Sequence, residues 1–236
     1  MNFETGTDSK TANASNPPQE SELVRLPQIY QMTIDYILIW IELIWYYRGL
    51  YPVESFKARQ AFYTKVYQNR HPDLQAYLED LRGDLMDLLQ NGQLCKIHLR
   101  IFEHNKVIES YTINVVNSPI LYESFALEED VIISNEDYSL AMIFAEFQAS
   151  LISLISELSG ISNHYPVSQT QEDDNYKFKI YISPNAGTND LYSKLVVNAN
   201  WKLTSRRPQN SPIHLNRARA VDLGFLNIQT TFSVRS

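Results

Sequence analysis

Residues 29–47, IYQMTIDYILIWIELIWYY, are apolar or aromatic at all but a few positions, and no other stretch constrains the fold as tightly. A run of this length raises the question of a bilayer, but it contains Asp35 and Glu42, each costing roughly 2–3 kcal/mol at a bilayer centre. Those carboxylates are seven residues apart and fall with Gln28 and Gln31 on one stripe of a helix. A helix that is apolar on every other side is a nearly buried core helix, and a domain must be wrapped around it. Pro27 precedes the run, and Gly49 followed by Pro52 ends it in the usual order of glycine, then proline.

The rest of the chain is suited to supply that wrapping. Its 236 residues, 44% hydrophobic and 20% charged, match one folded domain with a single large core. Residues 1–22 are rich in Asn, Ser, Thr and Pro and lack the charged-then-apolar pattern of a secretory signal, so they read as a disordered tail. Residues 23–236 are the domain. The formal net charge of −7 works against non-specific nucleic-acid binding, so any action on DNA is expected to be indirect, through a partner. Cys95 is the single cysteine, which excludes an internal disulfide and a multi-cysteine zinc site and fits a reducing cytosolic or nuclear compartment. It reads as a small core residue.

Pro72 suits the first turn of a second helix, where its missing N–H would have had no partner. Leu74, Tyr77, Leu78, Leu81, Leu85, Leu88 and Leu89 keep a helical period up to Asn91-Gly92. Cys95, Ile97, Leu99 and Ile101 then alternate with Lys96, His98 and Arg100, a strand with one face on the core. After a turn at His104-Asn105-Lys106, a return strand places Val107, Glu109, Tyr111, Ile113 and Val115 on one face. Asp137 is the expected N-cap of a third helix, whose apolar stripe runs from Leu140 through Leu158 to Gly160. Three more alternating runs start at Tyr176, Leu195 and Leu226. Between the last two, residues 204–224 read as a long irregular segment holding Arg206, Arg207, Arg217 and Arg219. The expected class is α+β, an antiparallel sheet with three helices on one face.

Catalytic chemistry finds little support. The seven glycines form no phosphate cradle, and His71, His98, His104, His164 and His214 lack the spacing of a metal site. A Cys95 nucleophile with His98 as its base is the sharpest enzyme reading, yet the strand pattern points those side chains to opposite faces. Glu79-Asp80, Glu128-Glu129 and Asp173-Asp174 read as solvated helix ends and loops. Residues alone therefore describe a binding protein with no cofactor and no metal.

Tyr46-Tyr47-Arg48-Gly49-Leu50-Tyr51-Pro52, with Phe56 after it, resembles the first-helix signature of HORMA domains, and the order of elements fits that fold over nearly the whole chain. Asn69-Arg70-His71-Pro72-Asp73-Leu74-Gln75-Ala76-Tyr77-Leu78 resembles the opening of the second helix in the HORMA branch that serves translesion DNA polymerase zeta as its accessory subunit. Residues 176–182, and the run at 195–203 with its Trp201, resemble that branch as well.

The resemblance implies a core at 23–184 and a movable safety belt at 185–236. The belt would wrap over a proline-containing peptide of the polymerase zeta catalytic subunit, which adds to the sheet as a strand. It implies that Tyr77 and Trp201 clasp this peptide, that the belt-side sheet bridges to a second translesion polymerase scaffold, and that the protein works in the nucleus without catalysis. Core packing is the plainer reading for both residues, and solvated loop charge for the belt arginines. Gln148 stands where vertebrate members carry an arginine that supports pairing with a second HORMA subunit, so a homodimer by that route lacks its arginine here. Within the fold, the alternative is a spindle-checkpoint protein of the mitotic-arrest-deficient type, and His71-Pro72 argues against it.

Overall fold

The computed structural model describes residues 24–117, 139–161, 176–184 and 215–234. The long apolar run is helix α1, Leu26–Tyr47, and it is the axis of the molecule. Its sides are covered in turn: Trp45 packs on Phe178 of the main sheet, Tyr46 stacks on Tyr67 of a small hairpin, Asp35 pairs with Arg82 of helix α2, and Tyr36 meets Phe147 of helix α3. Gln28, Gln31 and Asp35 do reach solvent, as the polar stripe requires. Glu42 does not: it is 2% exposed and accepts hydrogen bonds from the Asn69 N–H (3.0 Å) and Gln75 Nε2 (3.4 Å).

Helix α2 is Pro72–Gln90, with proline in its first turn, Asn91 as its C-cap and Gly92 at φ 64° beyond it. Leu78, Leu81, Leu85, Leu88 and Leu89 are buried, whereas Tyr77 is 38% exposed. Helix α3 is Leu140–Gly160 and buries Ile143, Phe147, Leu151, Leu154 and Leu158. Its N-cap is Ser139, whose Oγ accepts the Met142 N–H, in place of the expected Asp137. The reason is that helical geometry begins only at Leu140, so Ser139 is the residue with extended backbone beside the first free N–H groups. By length and composition α3 could cross a membrane, but its buried stripe packs inside this domain.

Two sheets flank the helices. Strands β1 (Phe56–Ala61) and β2 (Thr64–Asn69) form an antiparallel hairpin absent from the sequence reading. Its turn residues Phe62 and Tyr63 have φ 46° and 54°, a conformation that ordinarily selects Asn or Gly, so the turn carries no compositional signal. The main sheet uses β3 (Leu94–Glu103), β4 (Lys106–Asn117), β5 (Tyr176–Pro184), β6 (Leu215–Arg217), β7 (Val221–Asp222) and β8 (Leu226–Val234). Its order is β5-β3-β4-β8-β6, with β7 also on β8, and every pairing is antiparallel.

Two bulges correct the expected registers. Cys95 lies where β3 slips against β5 between Leu94 and Lys96, so Leu94 takes the core position and Cys95 is half-buried. At the far end the register shifts between Ile101 and Phe102, which buries Ile108 and leaves Val107 38% exposed. Residues 204–224 are not irregular throughout, since β6 and β7 fall within them. The tail at 1–22, the strand expected at 195–203 with Trp201, Arg206, Arg207, and the acidic pairs Glu128-Glu129 and Asp173-Asp174 lie outside the described residues.

Candidate functional site

The end of α1 organises one corner of the molecule. Arg48 caps the helix, its N–H donating to the Ile44 carbonyl, and Gly49 at φ 65°, whose N–H donates to the Tyr46 carbonyl, turns the chain away. The Arg48 guanidinium is fully buried and grips Glu109 of β4 with two bonds, Nε to Oε2 at 2.9 Å and Nη2 to Oε1 at 2.5 Å. Tyr111 donates its hydroxyl to the same carboxylate at 2.8 Å, and Arg48 Nη1 reaches the Ile161 carbonyl at 3.4 Å. A buried ion pair needs this many bonds, because each desolvated lone pair or proton left over costs several kcal/mol. The pair ties the ends of α1 and α3 to the sheet. Sequence reasoning missed it, although an acid in the apolar register of a strand was a visible signal.

Past Gly49, the chain brings Tyr51 to the sheet edge. Its ring packs edge-on against Trp45 at 5.6 Å and lies 6.3 Å from Phe178 of β5. Burial, with the neighbouring Tyr77 adding to it, pushes the Tyr51 hydroxyl up to about 12; burial also raises the Tyr77 hydroxyl. Tyr51 and Phe178 thus form an aromatic wall beside β5, with Tyr77 near enough to act on the Tyr51 hydroxyl. Strand β5 pairs with β3 on one side only, and among the described residues nothing pairs with its other edge. A strand edge with no described partner, beside aromatic rings, offers an added peptide strand main-chain bonds from the edge and contact area from the wall.

The segment around His71 holds Tyr77 in place. Asn69 donates its N–H to Glu42 and its Nδ2 to Ser55 Oγ (2.8 Å), while its Oδ1 accepts the His71 N–H (2.8 Å). Gln75 Nε2 returns to the Asn69 carbonyl at 2.6 Å. Burial pushes the Glu42 carboxyl up to about 7 against the opposing pull of these bonds and of the Arg59 charge. Of the expected peptide-binding pair, Tyr77 is therefore beside this wall and Trp201 lies outside the described residues; Tyr51 was not anticipated.

Cys95 and His98 do not form a pair. The His98 ring bonds Thr112 Oγ1 at 2.9 Å and Ser183 Oγ at 3.4 Å, and burial together with Arg100 and Lys96 lowers it to about 4. Gln148 is half-buried and donates to the Tyr63 carbonyl at 3.4 Å. Among the described residues no cluster of His, Cys, Asp or Glu could hold a metal ion.

The HORMA domain family matches the chain over residues 30–192. The DNA polymerase zeta processivity subunit of Schizosaccharomyces pombe is 31% identical over 128 residues, 54% of this chain and 59% of that protein. The subunit of the same name in Arabidopsis thaliana is 24% identical over 93 residues, 39% and 43% of the two chains. The mitotic spindle assembly checkpoint protein MAD2B of Homo sapiens is 25% identical over 88 residues, 37% and 42% of the two chains. The chain thus spans between two fifths and three fifths of the length of these relatives. Among solved structures, the mitotic checkpoint complex contains a chain that superposes with a TM-score of 0.68 at 14% identity, covering 89% of this chain and 96% of that one. C. elegans HTP-2 bound to an HTP-3 closure motif superposes at 0.66 with 12% identity, covering 98% of each. At these identities the likeness is one of fold.

Proposed function

Because this chain belongs to the HORMA domain family, we propose that it is a non-catalytic adaptor subunit of translesion DNA polymerase zeta, working in the nucleus. It traps a proline-containing peptide of the catalytic subunit along the β5 edge that no described strand pairs with, and bridges the polymerase to other translesion factors through the belt-side sheet. The names of the relatives support the polymerase, and the HTP-2 complex supports a fold able to hold a peptide.

The observation that carries the trapping mechanism is topological. Strand β5 ends at Pro184 on one edge of the main sheet, and the chain re-enters at Leu215 on the opposite edge. Residues 185–214 must join those edges, so a peptide on β5 would lie where the connecting chain can pass over it. The return also embeds β8 beside β4, with Leu226, Ile228 and Phe232 buried. The belt is thereby part of the fold as well as a clasp.

Calorimetry with a proline-containing peptide of the catalytic subunit tests this reading. Tyr77→Ala is expected to lose about 2–4 kcal/mol of binding, as truncation of a buried anchor does, with little change in melting temperature because Tyr77 is 38% exposed in the free protein. Trp201→Ala is expected to behave alike, and the double variant to be non-additive if both touch one peptide. Unchanged affinity in all three variants sinks the clasp. Preference for a spindle-checkpoint peptide would move the chain to the alternative branch.

A further inference from the structure

The face of the main sheet turned away from the described helices has a composition unlike the rest of the chain. Alternation buries Ile97, Leu99 and Ile101 and turns Lys96, His98 and Arg100 outward, and the pairing sets Ser183, Tyr181 and Lys179 of β5 beside them. Lys177 extends the row, and Arg217 lies on the same face at the far edge, opposite Thr231. Among the described residues the only carboxylate that the register puts on this face is Asp222, at the β7 corner, where it accepts the Gly224 N–H. Five cations against one carboxylate reverse, locally, the sign of a chain whose net charge is −7.

The arrangement is costly for the fold alone. Arg100 and Lys179 are directly opposite across the two strands, and like charges in that position destabilise a sheet. Among the described residues Lys96, Arg100 and Lys179 make no ion pair; the Arg100 guanidinium sits 5.0 Å over the Tyr181 ring and Lys179 Nζ 5.4 Å over Phe102. The His98 ring between Lys96 and Arg100 is lowered first by its burial and then by these two neighbouring cations.

We propose that the face of β3 and β5 turned away from the described helices binds single-stranded nucleic acid, its phosphates on Lys96, Arg100 and Lys179 and a base against the Arg100–Tyr181 stack. A sheet face with cations in rows and rings between them matches how such strands are held, by backbone charge and by stacking on aromatic or guanidinium planes. An acidic peptide would use the charges but leave the rings without a role. This surface stands apart from peptide capture and adds to it. It also revises the expectation from net charge, because phosphate affinity depends on where the cations are clustered.

The test is fluorescence anisotropy of a labelled oligothymidylate with the full chain, from low to physiological salt. Lys96→Gln/Lys179→Gln changes exposed residues and leaves the Arg100–Tyr181 contact. It is expected to weaken binding by roughly tenfold at low salt and to reduce the salt slope by about 1.4, two phosphate contacts at about 0.7 each. Lys57→Gln/Arg59→Gln on β1 makes the same charge change on the other sheet and is expected to stay within about twofold. Thermal melts confirm that both variants fold. The proposal is overturned if the unmodified chain does not bind the oligonucleotide at low salt, or if the two variants lose equally. It is also overturned if polyglutamate competes as well as unlabelled oligothymidylate, which would make the face an acidic-peptide site.

Discussion

Strands β3 and β4 face two environments and treat charge in opposite ways. On the helix side, Glu109 is fully buried and its negative charge is answered by Arg48, Tyr111 and nothing weaker than a hydrogen bond. On the opposite side Lys96, Arg100 and, across from it on β5, Lys179 stand together, and among the described residues they meet rings and no carboxylate. A single step along a strand moves a residue from one regime to the other. Net charge is blind to that distinction, whereas strand register decides it.

The sharpest way to break this comparison is to remove the buried cation. Arg48→Met leaves the Glu109 carboxylate without its guanidinium and is expected to cost about 3–5 kcal/mol in urea denaturation. Adding Glu109→Leu should recover most of the loss, because a buried pair is often no better than the apolar residues that replace both partners. A cost below about 1 kcal/mol for Arg48→Met would place the pair among solvated ion pairs.

A buried carboxyl and a half-buried imidazole give a smaller effect, readable by pH. The folded Glu42 carboxyl titrates near 7 against 4.5 when unfolded, so the folded state holds more protons between those values. Its contribution is therefore lost as pH rises from 4.5 to 7, by about 3 kcal/mol in total. His98 runs the other way: lowered from 6.5 to about 4, it makes the folded state hold fewer protons, and stability rises with pH across that window. Urea midpoints measured from pH 4 to 8 should show the two slopes offsetting below about 6.5. Glu42→Gln should remove the fall above that pH, and a curve that keeps it would assign the fall to another group.

The smallest expected effect sharpens the contrast between buried and exposed pairs. Arg219 Nη2 meets Glu146 Oε1 at 2.9 Å, much like Arg48 and Glu109, but its side chain is 58% exposed. Arg219→Ala is expected to cost about 0.5 kcal/mol or less by the same denaturation measurement. The Arg219 backbone stays in place, since its carbonyl accepts from Ser150 and its N–H donates to Ser153.

Much of the architecture was legible because each element announces itself locally. The apolar run, the leucine period after Pro72, the stripe after Leu140 and the alternation at 97–101, 176–182 and 226–234 are patterns of 3.6 and 2 that need no distant partner. The hairpin at 56–69 was hidden because two short, exposed strands joined by Phe62-Tyr63 show neither strong alternation nor a turn residue. Tyr77 was legible as a candidate through the motif that contains it, but not the wall of Tyr51 and Phe178 beside it.

The sequence by itself determined that α1 is the core, that an antiparallel sheet and two more helices surround it, and that catalysis has no recognisable machinery. Only the tertiary structure decided which charges would be paired. Arg48 and Glu109 are 61 positions apart, and Arg100 and Lys179 are brought side by side by the pairing of β3 with β5. Electrostatic energy depends on distance and burial in space, and neither follows from separation along the chain.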